Sequence, residues 1–203
     1  IFDNPVAGPL MRGMKHIPVD REAGAAAYRA AVTALRQGEL IGVFPETTIS
    51  RSFELLPFKS GAVRMAVSGK VPILPIVIWG SQRVWTAGHR RAIAPHRIPV
   101  SIDVLPPITV ARGDDPDVAT ESLRSTMDRA LHAAQDRYPV RPEGTEDTWW
   151  LPARLGGTAP TPAEAELIAE RRALARAERK EAEEARTEAK AAAKSARKGG
   201  SRP

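Results

Sequence analysis

Side chains that bind anions are concentrated in one polar stretch of this chain. Glu46 follows an apolar run, and Lys59 and Gly61 precede a segment with a helical pattern. The residues between them include Thr47, Thr48 and Ser50, which carry hydroxyl groups, and Arg51, which carries a guanidinium. The amides at a helix start favour phosphate, as do arginine and lysine, so the stretch predicts a phosphate-binding site. The alternatives are an ordinary Ser/Thr-rich turn and a solvated lysine.

The elements that must position these residues are two apolar runs and a short helix. The runs cover residues 40–44 and 71–79, and the helical pattern covers 62–68. Strand, loop, helix and strand in that order form a βαβ unit, and both runs are apolar on both faces. This favours an α/β fold with a mostly parallel sheet flanked by helices. The polar stretch then begins where the first strand ends, which is where open α/β sheets place ligands.

Four sequence blocks resemble the glycerolipid acyltransferase family, which includes the 1-acyl-glycerol-3-phosphate acyltransferases. The block at 44–50 is similar to the family's F-P-E-G-T-R-S motif, and the block at 58–62 to its F-K-x-G-A helix start. Residues 17–21 resemble a segment that ends in a substrate-contacting arginine, here Arg21, and residues 71–76 resemble a V-P-I-x-P-V strand. The blocks keep the family's order and spacing, and the resemblance covers about residues 1–107.

The resemblance implies acyl transfer from an acyl thioester to lysophosphatidic acid or a related glycerophospholipid, in phospholipid biosynthesis. Acyl-CoA or acyl-carrier protein would be the co-substrate, with no cofactor and no metal. The implied substrate-binding residues are Arg21, Glu46, Thr47, Thr48, Ser50, Arg51, Lys59 and Gly61.

Two of these residues have alternative roles that the sequence leaves open. Arg21 contacts either phosphate or a neighbouring acid in a surface ion pair. Glu46 either shapes the loop through backbone amides or binds a glycerol hydroxyl of the acceptor. A general-base role for Glu46 is disfavoured, because nothing nearby in the sequence would tune its carboxylate for proton transfer.

The chain departs from the family pattern at three points. Thr47 stands in place of the motif's glycine and Ile49 in place of its arginine, so Arg51 is the candidate substitute. The family's catalytic H-x4-D motif is also missing, because none of the four histidines has an aspartate five positions on. These histidines are His16, His89, His96 and His132. We therefore expect a fragment without its N-terminal catalytic part, with no catalytic residue in this chain and no activity of its own.

The charge balance favours anionic partners. The 203 residues carry a formal net charge of +6, contain no cysteine, and have a pI of about 10. No apolar run approaches the roughly 20 residues that span a bilayer. We expect an anionic glycerophospholipid acceptor, an acyl donor, and peripheral attachment at the cytoplasmic face of the plasma membrane. The basic loop 80–95, beside Trp79 and Trp85, suits lipid headgroups; it would also suit single-stranded nucleic acid, which the resemblance disfavours.

The remaining sequence predicts two long helices and an appended tail. A helix is expected from Asp20 to Gln37, a strand over 98–105, and a helix from Asp115 to about Tyr138. The predicted organisation is an acyltransferase domain over 1–140, a linker over 141–160 and a helical tail over 161–203, rich in Ala, Glu, Arg and Lys. In the linker, Trp149 and Trp150 either fold back on the domain or enter a bilayer interface.

Two other functional classes compete with an acyltransferase. A catalytically inactive, membrane-associated binding module would explain the changes at Thr47 and Ile49. A nucleic-acid binder would use the positive charge alone, and its affinity would fall steeply with salt.

Overall fold

The computed structural model describes residues 4–5, 7–18, 24–46, 48–86, 97–144 and 148–199. Within these ranges the chain forms α-helices and a two-stranded sheet, one face of which is covered by α4. The helices are α1 (Ala7–Gly13), α2 (Gly24–Arg36), α3 (Gly61–Gly69), α4 (Pro116–Asp136) and α5 (Pro162–Gly199). The strands are β1 (Ile76–Trp79) and β2 (Ser101–Val104).

The described sheet is antiparallel. Ile76 pairs with Val104 and Ile78 with Ile102. Because successive side chains of a strand point to opposite faces of the sheet, these four residues share one face. Val77 and Trp79 are buried on the face that α4 covers. The opposite face carries the side chains of Ile76, Ile78, Ile102 and Val104, which are all exposed. The sheet therefore has one buried face and one exposed apolar face.

The parallel sheet that the sequence predicted is not confirmed. Residues 40–44 form no strand within the described ranges, and Leu40 and Phe44 are 96% and 93% exposed. A strand needs a hydrogen-bonded neighbour. No described segment forms such a pair with residues 40–44. The second run contributes only Ile76–Trp79 as a strand, plus an isolated bridge between Ile73 and Ile108. The mixture of helices and strands agrees with the predicted class.

The helix ends follow their local sequence signals. The Asp115 carboxylate accepts from the amides of Asp117 and Val118, and Pro116 occupies the first helical position of α4. At α5, Glu164 accepts from the Thr161 amide while its own amide donates to the Thr161 hydroxyl, which forms a capping box. Gly38 follows α2 with a φ of +84°, as predicted for a helix-ending glycine.

Helices α2 and α3 pack together beside α4. The Tyr28 hydroxyl donates to the Arg64 carbonyl oxygen at 3.0 Å, and the Arg36 guanidinium donates to the Ser68 carbonyl oxygen at 2.8 Å. Val32 is buried, whereas Val118 of α4 is 69% exposed. Val118 lies in the first turn of α4, beyond the part of the helix that covers the sheet.

The core lies between β1, α4 and the segment that follows α4. Trp79 and Tyr138 meet edge to face, and Tyr138 meets Trp150 in the same way. Trp150 and Leu151 are buried, so the double tryptophan folds back on the domain and places Trp150 in the core. The Tyr138 hydroxyl donates to the Pro99 carbonyl oxygen at 2.6 Å, which fixes the segment before β2.

Among the described residues, no helix combines the length and apolar character needed to cross a membrane.

Candidate functional site

The predicted phosphate-binding stretch is a loop whose two ends meet. The Lys59 amide donates to the Pro45 carbonyl oxygen at 3.0 Å, and Glu46 and Phe58 form an isolated antiparallel bridge. We call these four residues, 45–46 and 58–59, the neck, and the described residues between them, 48–57, the loop. The backbone segments that carry Glu46 and Lys59, which are 13 positions apart in sequence, therefore lie against each other.

Glu46 organises the loop from the neck. Its Oε2 accepts a hydrogen bond from the Leu56 amide at 2.9 Å, across the base of the loop. Partial burial raises the pKa of the Glu46 carboxyl, and the Leu56 N–H opposes that rise because it stabilises the charged form. The loop-shaping role that the sequence allowed is thus present in the structure, whereas the contact with an acceptor hydroxyl stays a prediction.

The interior of the loop is held by hydroxyls and by the core. The Ser50 and Ser52 hydroxyls lie 2.8 Å apart, and the buried Ser52 hydroxyl accepts from the Glu54 amide. Phe53 has a φ of +57°, a conformation that is costly for a bulky residue. Its carbonyl oxygen accepts from the Gln135 side chain of α4 at 3.1 Å, and its ring packs edge to face on Trp79. The loop is therefore fixed to α4.

The outer part of the loop presents Thr48, Ile49 and Arg51. Thr48 is exposed and Ile49, which stands where the motif has arginine, is 81% exposed. Arg51 is partly exposed, and its pKa is lowered first by desolvation and then by the positive charge of Arg172 in α5. Because the two guanidinium groups repel each other, an anion nearby is favoured.

The start of α3 offers backbone amides beside positive charge. Ser60 makes no side-chain capping hydrogen bond, and its hydroxyl instead accepts from Arg64 Nε at 3.1 Å. Lys59 is exposed, and a Cβ at Gly61 would meet no atom within 4 Å. The first amides of a helix carry partial positive charge, so an uncapped start flanked by Lys59 and Arg64 suits an anionic group.

The structure brings part of the predicted set together. Glu46 and Lys59 share the neck, Gly61 begins the adjacent helix, and Thr48, Ser50 and Arg51 lie on the loop that the neck closes. Two predicted residues, Arg21 and Thr47, lie outside the described residues. So do residues 87–96 of the predicted basic loop, whose described part places Arg83 over the Trp150 ring at 4.6 Å.

Sequence reasoning missed the polar side chains behind the loop. Glu54 is buried and contacts His132 of α4 and Arg154, a residue that lies 100 positions later. The only local signal was the i, i+4 spacing of Asp128 and His132, which places both on one face of α4. Nothing in the sequence indicated that Glu54 joins them.

Comparison with known proteins finds similarity in the N-terminal part of the chain. Residues 1–79 match the family model described as Acyltransferase, up to the end of β1. A 1-acyl-sn-glycerol-3-phosphate acyltransferase of Limnanthes douglasii is 36% identical over 120 residues, which are 55% of this chain and 42% of that protein. The Bacillus subtilis enzyme of the same name is 36% identical over 81 residues, 39% of this chain and 40% of that protein.

A third relative and one crystal structure complete the comparison. The alpha form from Mus musculus is 38% identical over 99 residues, 48% of this chain and 34% of that protein. The matches thus span between 34% and 42% of the length of these relatives. The 1-acyl-sn-glycerophosphate (LPA) acyltransferase PlsC from Thermotoga maritima superposes with a TM-score of 0.55 at 21% identity, over 68% of this chain and 55% of that one. The chain therefore has a PlsC-like fold.

Proposed function

We propose that this chain, whose residues 1–79 match the Acyltransferase family model, carries the acceptor-binding part of a 1-acyl-sn-glycerol-3-phosphate acyltransferase. The reaction joins an acyl group from an acyl thioester to a free hydroxyl of lysophosphatidic acid or a related glycerophospholipid. Acyl-CoA or acyl-carrier protein is the donor. The acceptor hydroxyl attacks the thioester carbonyl, an ester forms, and the thiol leaves with the proton.

The neck carries this proposal. It brings the backbone of Glu46 beside that of Phe58 and Lys59, directly before the uncapped start of α3. A phosphate at that helix start would receive backbone N–H groups and the lysine charge, and the acceptor's glycerol would then lie toward Glu46 and the loop hydroxyls. Arg51 supplies further positive charge from the loop, in place of the arginine that the motif carries at the position of Ile49.

The assigned role is positioning, since the chain contains no H-x4-D pair to take the proton. In the family that the sequence resembles, the histidine of that pair is the base and its aspartate orients the ring. Holding two reactants in a productive geometry is worth on the order of 7 kcal/mol, but it does not replace the base. We therefore propose that this chain binds acceptor and has little or no turnover by itself.

We also propose that the chain acts at an anionic membrane surface, on the cytoplasmic face of the plasma membrane. Its net charge of +6 supports this, as does the exposure of the described side chains of α5 from Glu170 to Thr187. Charged lipid and nucleic acid both attract such a surface. The nucleic-acid alternative would be favoured if the chain's binding does not depend on vesicle lipid and is removed by competing DNA.

The decisive experiment compares Lys59→Ala with the unmodified chain. We expect the variant to bind lysophosphatidic acid in phosphatidylcholine vesicles about tenfold more weakly, because one charge-assisted contact to phosphate is lost. Vesicle sedimentation measures the affinity. Arg112→Ala is the matched control, since it removes one positive charge from an exposed loop position remote in sequence from the neck.

Lipid chemistry and turnover separate the possible outcomes. Lysophosphatidylcholine, whose phosphodiester charge is offset by its choline ammonium group, should not distinguish Lys59→Ala from the unmodified chain. If Lys59→Ala and Arg112→Ala weaken vesicle binding equally, net charge alone explains the effect, and the assigned site is contradicted. Acyl transfer by the chain alone, from acyl-CoA or acyl-carrier protein at a substantial rate, would contradict the positioning role.

A further inference from the structure

Three side chains behind the loop offer donor atoms that metal ions use. Glu54, Asp128 and His132 each place one ligand atom so that all three atoms lie within 4.8 Å of one another. His132 Nε2 is 2.7 Å from Glu54 Oε2, and His132 Nδ1 is 3.8 Å from Asp128 Oδ2. We propose that these residues form a binding site for a divalent transition-metal ion of the zinc type.

Two elements fix the geometry of this cluster. Asp128 and His132 are four residues apart on α4, so their side chains are neighbours on one helical face. Glu54 comes from the loop, where the Gln135–Phe53 hydrogen bond holds the adjacent backbone against the same helix. The donors thus come from a rigid helix and from a segment tied to it, and this arrangement restricts their motion.

The buried carboxylate of Glu54 is the second observation that favours a cation. The Glu54 side chain is only 9% exposed, and its Oε2 faces the cluster, where its partner is a histidine rather than a permanent cation. A buried carboxylate is costly unless it is paired or coordinates a metal. Its charged neighbours are His132, whose charge depends on protonation, and Arg154, whose Nε lies 3.5 Å from Oε1.

Arg154 lies on the other side of this carboxylate from the proposed ion. It contacts Oε1, whereas His132 faces Oε2. Arg154 also reaches Asp136 at 3.4 Å and Gln135, so other groups share its charge. An outer partner of this kind orients a metal-bound carboxylate, as hydrogen-bonded neighbours commonly do around metal ligands.

The donor types select the class of ion. An imidazole with two carboxylates suits zinc and other first-row transition metals, whereas magnesium prefers an all-oxygen octahedral set. Ligand atoms about 2.0–2.1 Å from zinc in a tetrahedral site are about 3.3 Å apart. The Glu54–His132 pair would open by about half an ångström, and the Asp128 side chain would turn inward. Asp128 and His132 are each about one third exposed, which gives them this freedom and the ion a route from solvent.

The spacing of residues in the sequence gave no reason to expect such a site, and we expected no metal from it. Glu54 lies 78 positions before His132, and only the packing of the loop on α4 unites them. A bound ion would link the loop directly to α4. It would therefore stabilise the loop whether or not the loop binds a phospholipid, so the site does not depend on the proposed function.

Isothermal titration of the metal-free chain with Zn²⁺ tests the site. We expect about one ion per chain, with Mg²⁺ giving no comparable heat, and Co²⁺ giving the visible absorption of a low-coordinate site. Asp128→Asn and His132→Gln should each weaken Zn²⁺ binding more than about tenfold, because each removes a ligand. Glu121→Gln and His16→Gln are the matched controls, an acid elsewhere on α4 and an exposed histidine near α1.

Thermal unfolding provides a second readout that does not depend on titration heats. Zn²⁺ should raise the Tm of the unmodified chain and of both controls, and should not raise the Tm of Asp128→Asn. Asp128 is partly exposed, so its amide variant is expected to retain the fold. Absence of Zn²⁺ binding by the unmodified chain would overturn the proposal. So would binding of unchanged affinity in both ligand variants.

Discussion

Glu46 shows how one side chain can shape a loop through a contact that is distant in sequence. Its carboxylate accepts a hydrogen bond from the Leu56 amide across the base of the loop, and burial raises the pKa of this carboxyl. The motif at 44–50 made Glu46 a predictable site residue, but the sequence left its role open between loop and acceptor. Leu56 is ten positions away, so that contact depends on how the loop closes, which no local pattern specifies.

The first prediction concerns the hydrogen bond of Glu46. Glu46→Ala should lower the free energy of unfolding by about 1–3 kcal/mol, because the partly buried Leu56 amide loses its acceptor. Glu46→Gln keeps an acceptor oxygen and should cost less. Urea unfolding at neutral pH measures both variants, and equal costs would show that the Leu56 contact does not stabilise the loop.

The second prediction concerns the pH dependence of the same residue. A carboxyl whose pKa is raised on folding contributes stability that is fully present below its ordinary value of 4.5 and is lost as pH rises through the folded value. The unmodified chain should therefore lose stability relative to Glu46→Gln as pH rises from about 4.5 to 7. Urea midpoints at several pH values measure this difference, and the opposite trend would contradict the burial of Glu46.

At the scale of elements, local signals predicted helices better than strands. Asp115, Gly38 and the Thr161–Glu164 pair mark helix ends because capping involves residues only a few positions apart. The strand pairing could not be read in the same way, because the sequence does not say which segment lies beside which. Val71–Trp79 was predicted as part of a parallel sheet, whereas its described strand Ile76–Trp79 pairs antiparallel with Ser101–Val104.

The third prediction tests the turn that follows β1. Gly80 has a φ of +102°, and an added Cβ would lie 2.4 Å from the Pro99 carbonyl oxygen and 2.9 Å from the Tyr138 hydroxyl. Gly80→Ala should therefore lower the free energy of unfolding by about 1–3 kcal/mol or more. Gly113→Ala, where a Cβ would meet nothing within 4 Å, is the control. Equal Tm values for the two variants would contradict the close packing of this turn.

At the scale of the whole molecule, the segment after α4 belongs to the core as much as the sheet does. Trp150 is 1% exposed and contacts Tyr138. The side-chain amide of Gln82 donates a hydrogen bond to the Trp150 carbonyl oxygen at 3.3 Å. The sequence allowed either this packing or a bilayer contact, because a tryptophan pair suits both. Beyond Ala165, by contrast, α5 is largely exposed through its described side chains.

The fourth prediction follows from this division. Trp150→Ala should lower the free energy of unfolding by about 3–5 kcal/mol, because it leaves a large cavity in the core. Deleting residues 176–203 should change it by less than about 0.5 kcal/mol, because the described side chains removed are exposed. Chemical denaturation with tryptophan fluorescence measures both. A large loss of stability on deletion would show that α5 supports the fold.

The exposed apolar face of the sheet has a practical consequence for anyone who purifies this chain. Ile78 and Ile102 lie opposite each other on that face, and Leu40 and Phe44 add two more uncovered side chains. Exposed apolar side chains of this kind promote aggregation. Concentrated samples should therefore scatter light in buffer without detergent. A mild detergent that covers the exposed apolar side chains should remove this scattering. Ile78→Thr with Ile102→Thr should make the detergent unnecessary.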